Sequence, residues 1–125
     1  MKKIKTAIFI SGDGSNFKSI YKNSLKKDYP FKIEVVISDR RCKGYEFSKS
    51  IISKTYMFEN YKKRHFEKEV QVVLKKNQIE LICLAGFMKI LTNEFVNKWE
   101  NKILNIHPSI LPLFPGLNTH RRVIE

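Results

Sequence analysis

Short apolar runs alternate with amphipathic stretches along the chain, and each run ends at polar or glycine-rich residues. The runs at residues 4–10 and 33–37 are rich in β-branched side chains, and residues 81–85 read LICLA without any polar alternation. Such runs predict parallel strands that are buried on both faces. A weak strand is predicted at residues 55–58 and a further strand at residues 102–106.

Helical spacing is clearest in residues 61–76, where four apolar side chains lie at positions i, i+4, i+7 and i+8: Phe66, Val70, Val73 and Leu74. The other predicted helices are shorter and lie at residues 15–25, 43–50 and 93–99. We expect Ser15 or Asn16 to cap the first of these helices and Thr92 to cap the last.

Strands that alternate with helices predict an α/β fold, a doubly wound parallel sheet with helices on both faces. We expect residues 1–125 to form one domain. In such sheets, ligands bind outside the carboxyl ends of the strands. Three segments follow predicted strands there: SGDGSN (11–16), AGFMKIL (85–91) and NIHPS (105–109).

The charge of the chain raises the question of nucleic acid, because 24 Lys and Arg against 12 Asp and Glu give a net charge of +12. Most of the excess is lysine, which solvated helix faces and turns explain. Aromatic residues do not interleave with the basic clusters as a base-stacking platform requires. We therefore expect no nucleic-acid partner, while steering of anionic substrates and a polyanion site stay open as alternatives.

Localisation follows from the N-terminus and the cysteines. The apolar run in MKKIKTAIFI is shorter than the roughly 7–15 residues of a signal-peptide core, and no stretch approaches the roughly 20 residues of a membrane helix. Cys42 and Cys83 lack metal-ligand spacing. We expect a cytoplasmic protein with reduced thiols, no metal and no membrane partner.

The segment SGDGSN has features of a phosphate-binding turn. Gly12 and Gly14 permit a tight turn, and Ser15 and Asn16 follow where a helix begins, so that backbone N–H groups can meet a phosphate. The pattern is weak, because a dinucleotide fingerprint has a third glycine where Phe17 stands. An ordinary glycine turn is the alternative.

The segment NIHPS places Asn105 and His107 on the same side of an extended chain, where both can face one substrate. An amide donor beside an imidazole suits a reaction in which negative charge develops on a carbonyl oxygen while a proton moves. The alternative is a turn pinned by Asn105 and a buried, hydrogen-bonded His107. His65 and His120 have weaker claims.

Three motifs together make the sequence resemble the phosphoribosylglycinamide formyltransferase family: SGDGSN, LAGFMKIL and LNIHPSILPLFPGLNTH. The resemblance spans nearly the whole chain. It implies transfer of a formyl group from 10-formyltetrahydrofolate to the amine of 5-phosphoribosylglycinamide, in purine biosynthesis. The alternatives are a formyltransferase acting on an amino sugar or on initiator tRNA, and a non-catalytic basic module that binds nucleic acid.

The resemblance also implies roles for particular residues. His107 would be the catalytic acid, assisted by Asn105. The phosphoribosyl substrate would be held by Gly14, Ser15 and Asn16. The folate donor would be contacted by Arg64, Met88, Lys89, Ile90, Leu91 and Asn105.

The sequence departs from the family in two ways. Lys89 stands where the family usually has arginine, which keeps the charge but loses a planar, bidentate contact. The expected arginine of the long helix falls on Lys63 or Arg64, and we favour Arg64 for its guanidinium. Family members also continue beyond Glu125 with an aspartate that tunes the histidine. We therefore expect the chain to be the N-terminal part of a longer enzyme, or a truncated form, with negligible activity and limited solubility alone.

Overall fold

The computed structural model describes residues 2–106, in which strands and helices alternate throughout. The elements are β1 (Ile4–Ile10), α1 (Ser15–Ser24), β2 (Phe31–Ser38), α2 (Lys43–Ile51), β3 (Thr55–Met57), α3 (Lys63–Lys76), β4 (Leu81–Leu84), α4 (Asn93–Lys98) and β5 (Ile103–Asn105). Every element predicted from the apolar pattern is present, with only slightly shifted ends. No helix in this part of the chain is long and apolar enough to cross a membrane.

The strands form one parallel sheet in the order β3-β2-β1-β4-β5. From β1 the chain first builds outward to β3 and then returns to the other side of β1 to add β4 and β5. This reversal is the defining feature of a doubly wound sheet, and it opens a crevice at the carboxyl ends of β1 and β4. The predicted fold class is confirmed.

Helices cover both faces of the sheet because the side chains of β1 alternate between two apolar layers. Ala7 and Phe9 pack into the layer formed with α3 and α4, and Ile8 and Ile10 pack into the layer formed with α1. Phe47 of α2 packs against the second layer. These four β1 side chains are fully buried, as expected for a strand in the middle of a two-faced sheet.

The start of α1 differs from the prediction. The N-cap residue is Gly14, in the left-handed conformation with φ 83°, and no side chain caps the helix. Ser15 is instead the first helical residue, and its N–H donates to Asp13 Oδ1 at 3.0 Å. The prediction that Ser15 or Asn16 caps α1 was wrong, because a glycine can supply the left-handed turn that those residues adopt only at a cost. Thr92 does cap α4, as predicted, and its Oγ1 accepts from Phe95 N at 3.1 Å.

The turn after β1 is in backbone contact with the start of α2. Gly44 N–H donates to Gly12 O at 3.0 Å. A Cβ on Gly44 would lie 2.8 Å from Gly12 O, closer than real Cβ atoms approach, and 3.0 Å from Gly14 Cα. Glycine at position 44 therefore lets α2 approach and fix the turn.

Gly44→Ala should lower the free energy of unfolding by about 1–3 kcal/mol, the usual cost of inserting a methyl group into a packed contact. Chemical denaturation of the full-length protein measures this. Gly12→Ala is the matched control, because a Cβ there meets nothing within 4 Å. Equal stability of the two variants would contradict the packing account.

Candidate functional site

The ends of β1, β4 and β5 lie side by side at one edge of the sheet. Phe9 is in register with Leu84, and Leu84 is in register with Asn105. Backbone hydrogen bonds extend this alignment past the strands, from Ala85 N to Phe9 O at 2.9 Å and from Ile106 N to Leu84 O at 3.0 Å. The three segments selected from the sequence therefore begin next to one another, as far as the structure describes them.

The turn at residues 11–16, here called the glycine turn, is organised around Asp13. The hydrogen bond from the Ser15 backbone N–H lowers the pKa of the Asp13 carboxyl, with smaller contributions from the Ser15 side chain and from the cations Lys18 and Lys43. Asp13 is therefore ionised at neutral pH, and it occupies one of the N–H groups that begin α1. Ser15 is exposed and Gly14 is buried.

The exposed segment that follows β4 is residues 86–91, here called the β4 loop. Met88 and Ile90 are 68% and 74% exposed, which is unusual for large apolar side chains. The Lys89 side chain is directed toward the protein instead. Its Nζ donates to Tyr61 O at 2.9 Å and lies 5.3 Å from the centre of the Phe66 ring. Leu91 packs against the apolar layer of α3 and α4.

Besides the Lys89 bond to Tyr61 O, polar contacts near both ends attach this loop to the rest of the protein. Met88 N–H donates to Ser11 Oγ at 2.8 Å, and Ser11 Oγ donates to Asp39 Oδ1 at 2.7 Å. At the far end, the buried Glu67 carboxylate accepts from Thr92 N at 2.7 Å and from Thr92 Oγ1 at 2.6 Å. The loop is thus held at both ends while Met88 and Ile90 stay exposed.

Ser11 and Asp39 were not among the sequence-predicted site residues. Both are almost fully buried, at 4% and 7% exposure. Arg40 contacts the same carboxylate through Nε at 3.2 Å and Nη2 at 3.0 Å, and this hydrogen bonding raises the pKa of Arg40. The only sequence signal was their position directly after β1 and β2, where polar residues are also ordinary strand terminators.

The remaining predicted residues divide into three groups. Asn105 is the partly buried last residue of β5. Arg64 is highly exposed at the start of α3, and its Nη1 donates to Glu94 Oε1 at 3.3 Å, across a groove between α3 and α4. His107 and His120 lie outside the described residues.

His65 and Cys83 offer little catalytic chemistry. His65 is exposed, with Nε2 3.8 Å from Glu69 Oε2. Burial raises the pKa of the Cys83 thiol to about 12, so this thiol is protonated at neutral pH. A protonated thiol is a poor nucleophile.

Comparison with known proteins places the chain in a family. The protein family described as Formyl transferase matches residues 4–125, which is nearly the whole chain. The chain therefore belongs to the formyl transferase family. This confirms the resemblance inferred from the three motifs.

The relatives narrow the family further. The chain is 38% identical to the phosphoribosylglycinamide formyltransferase of Haemophilus influenzae, over 100% of this chain and 60% of that protein. It is 44% identical to the trifunctional purine biosynthetic protein adenosine-3 of Gallus gallus, over 98% of this chain and 13% of that protein. The chain thus spans less than two thirds of either relative.

Solved structures agree with this fold. The phosphoribosylglycinamide formyltransferase of Brucella melitensis is 37% identical, with a TM-score of 0.79 over 98% of this chain and 66% of that one. A formyltetrahydrofolate deformylase of Pseudomonas putida, with a TM-score of 0.77, is only 20% identical and shares the fold.

Proposed function

We propose that this protein transfers the formyl group of 10-formyltetrahydrofolate to the amine of 5-phosphoribosylglycinamide, in the cytoplasm and as a step of purine biosynthesis. The observation that carries the proposal is the adjacency of the glycine turn, the β4 loop and Asn105 at one sheet edge. A formyl transfer brings two substrates to one reacting centre, and two exposed segments flanking a switch point can supply the two subsites. The partners are then these two small molecules.

The phosphoribosyl substrate is assigned to the glycine turn. Gly14 is the N-cap of α1, a helix of 10 residues, and Ser15 and Asn16 are its first two residues. The first N–H groups of a helix have no partner within the helix. Such N–H groups and the positive end of the helix dipole favour a phosphate. Lys18 and Lys43 act electrostatically on Asp13 in the same turn and would add to the attraction.

The folate donor is assigned to the β4 loop. Met88 and Ile90 offer exposed apolar surface for the ring system. Lys89 and Leu91 contact the rest of the protein and hold the loop in place. Burial of apolar ligand surface against such side chains is the usual source of affinity. Arg64 would meet a carboxylate of the donor by exchanging its ion pair with Glu94.

Asn105 and His107 are assigned to the chemical step. The amine nitrogen attacks the formyl carbon, and the carbonyl electrons move onto oxygen to give a tetrahedral oxyanion. The Asn105 amide N–H donates to that oxyanion. Reformation of the carbonyl breaks the carbon–nitrogen bond to the folate, the folate nitrogen gains a proton and the amine loses one. His107 is the acid that assists this proton movement.

Asn105→Ala and His107→Ala should each lower kcat by about 10²–10³-fold in the full-length protein, because they act on charge that exists only in the transition state. Binding of both substrates should change far less. Steady-state kinetics with calorimetric titration separate the two effects. Asn97→Ala and His65→Ala, at exposed helical positions, are matched controls. A normal kcat for the Asn105 and His107 variants would contradict their assignment to the chemical step.

Asp13→Asn should lower the KM for 5-phosphoribosylglycinamide several-fold and leave the KM for the folate donor unchanged. The substitution keeps an acceptor for Ser15 N–H but removes a negative charge beside the proposed phosphate position. Asp13→Ala removes the acceptor as well and should weaken binding, because the turn loses its hydrogen bond. If Asp13→Asn left both KM values unaltered, the phosphate would not lie at this turn.

A further inference from the structure

Within residues 2–106, the Ser11 hydroxyl joins the glycine turn directly to the β4 loop, because its oxygen accepts from Met88 N–H while the hydroxyl donates to Asp39. The direction of both bonds is fixed by chemistry. The Asp39 carboxylate can only accept, so it takes the single proton of the Ser11 hydroxyl. The Met88 backbone N–H can only donate, so it uses a lone pair of the same oxygen.

The strength of this link comes from its surroundings. Ser11 and Asp39 are nearly inaccessible to solvent, so water does not compete for their hydrogen bond. Arg40 holds the Asp39 carboxylate through both of its oxygens. The acceptor that orients the hydroxyl is therefore itself fixed, and the oxygen presented to Met88 has one position.

The same two segments also lie close together at Asn16 and Gly86. Asn16 Nδ2 lies 4.0 Å from the position that a Cβ on Gly86 would take. Gly86 has φ 71°, in the left-handed region, and begins the β4 loop. The two segments are thus close to each other at both Ser11 and Asn16, and the Ser11 hydrogen bond connects them.

We propose that Ser11 is a positioning residue that couples the two substrate subsites, so that binding of the phosphorylated acceptor strengthens binding of the folate and the reverse. This inference rests on the proposed function. A ligand that repositions the glycine turn moves Ser11 with it, and the Ser11 Oγ bond passes that movement to Met88 N–H. Because one hydrogen bond joins the two segments, the first ligand adjusts both subsites and the second ligand finds its subsite already adjusted, which is a source of positive coupling. The coupling factor is the same in both directions by thermodynamic necessity.

The test is a pair of calorimetric titrations on the full-length protein. The affinity for 5-phosphoribosylglycinamide is measured without folate and with saturating tetrahydrofolate, which carries no formyl group and cannot react. The ratio of the two dissociation constants is the coupling factor. We expect a factor of about 5 or more for the unaltered protein, and a factor near 1 for Ser11→Ala.

Ser48→Ala is the matched control, since it also removes a buried serine hydroxyl, one whose oxygen lies 2.8 Å from Thr55 Oγ1 of β3. It should keep the coupling factor of the unaltered protein. Ser11→Cys is a second variant for the case in which Ser11→Ala does not fold. A thiol is a weak acceptor, so this variant should also lose most of the coupling.

Two results would overturn the inference: a coupling factor of 1 in the unaltered protein, or an undiminished factor in the folded Ser11 variant. If the protein still transfers the formyl group to 5-phosphoribosylglycinamide at a normal rate, neither result contradicts the proposed function. The proposed function itself is refuted by a different result, in which the protein binds neither ligand and transfers no formyl group.

Discussion

The pairing of β4 with β1 is the constraint on which the candidate site depends. β1 already pairs with β2 on one side, and the return of the chain to its other side places β4 in register from Thr6 to Phe9. Two loops that are some seventy residues apart in the chain thereby leave neighbouring strands at the same edge. If β4 paired with β3 instead, strands β2 and β3 would lie between β1 and β4. The glycine turn and the β4 loop would then be too far apart to line one crevice.

Aromatic packing transmits that constraint into the β4 loop. Phe9 of β1 is fully buried, and its ring lies 5.3 Å from Phe87 and 6.5 Å from Phe66, in edge-on geometry. Phe87 thus attaches the loop to the core directly beside the exposed Met88. Such rings stabilise the contact beyond the burial of their area. The loop can therefore present apolar side chains to solvent and still keep a defined backbone, which is what a preformed ligand subsite requires.

The apolar pattern was sufficient to predict the parallel sheet and the edge at which the candidate site lies. It did not predict which polar side chains form hydrogen bonds there. A run such as LICLA excludes a one-sided strand, and the face of α3 through Phe66 and Val70 follows from its spacing alone. The Ser11 and Asp39 pair could not be predicted, because it depends on how the ends of β1 and β2 align in space. The orientation of Lys89 toward Tyr61 likewise depends on tertiary packing. The geometry between Asn105 and His107 remains a prediction from the sequence.

The identity of the formyl acceptor is the central claim, and a competition among acceptors tests it most directly. The full-length protein is supplied with 10-formyltetrahydrofolate and, in turn, 5-phosphoribosylglycinamide, an amino sugar, aminoacylated initiator tRNA, or no acceptor, and the formylated products are quantified. The account predicts formyl transfer to 5-phosphoribosylglycinamide alone, with little release of formate in the absence of acceptor. Preferential formylation of another amine, or rapid release of formate without any acceptor, would contradict it.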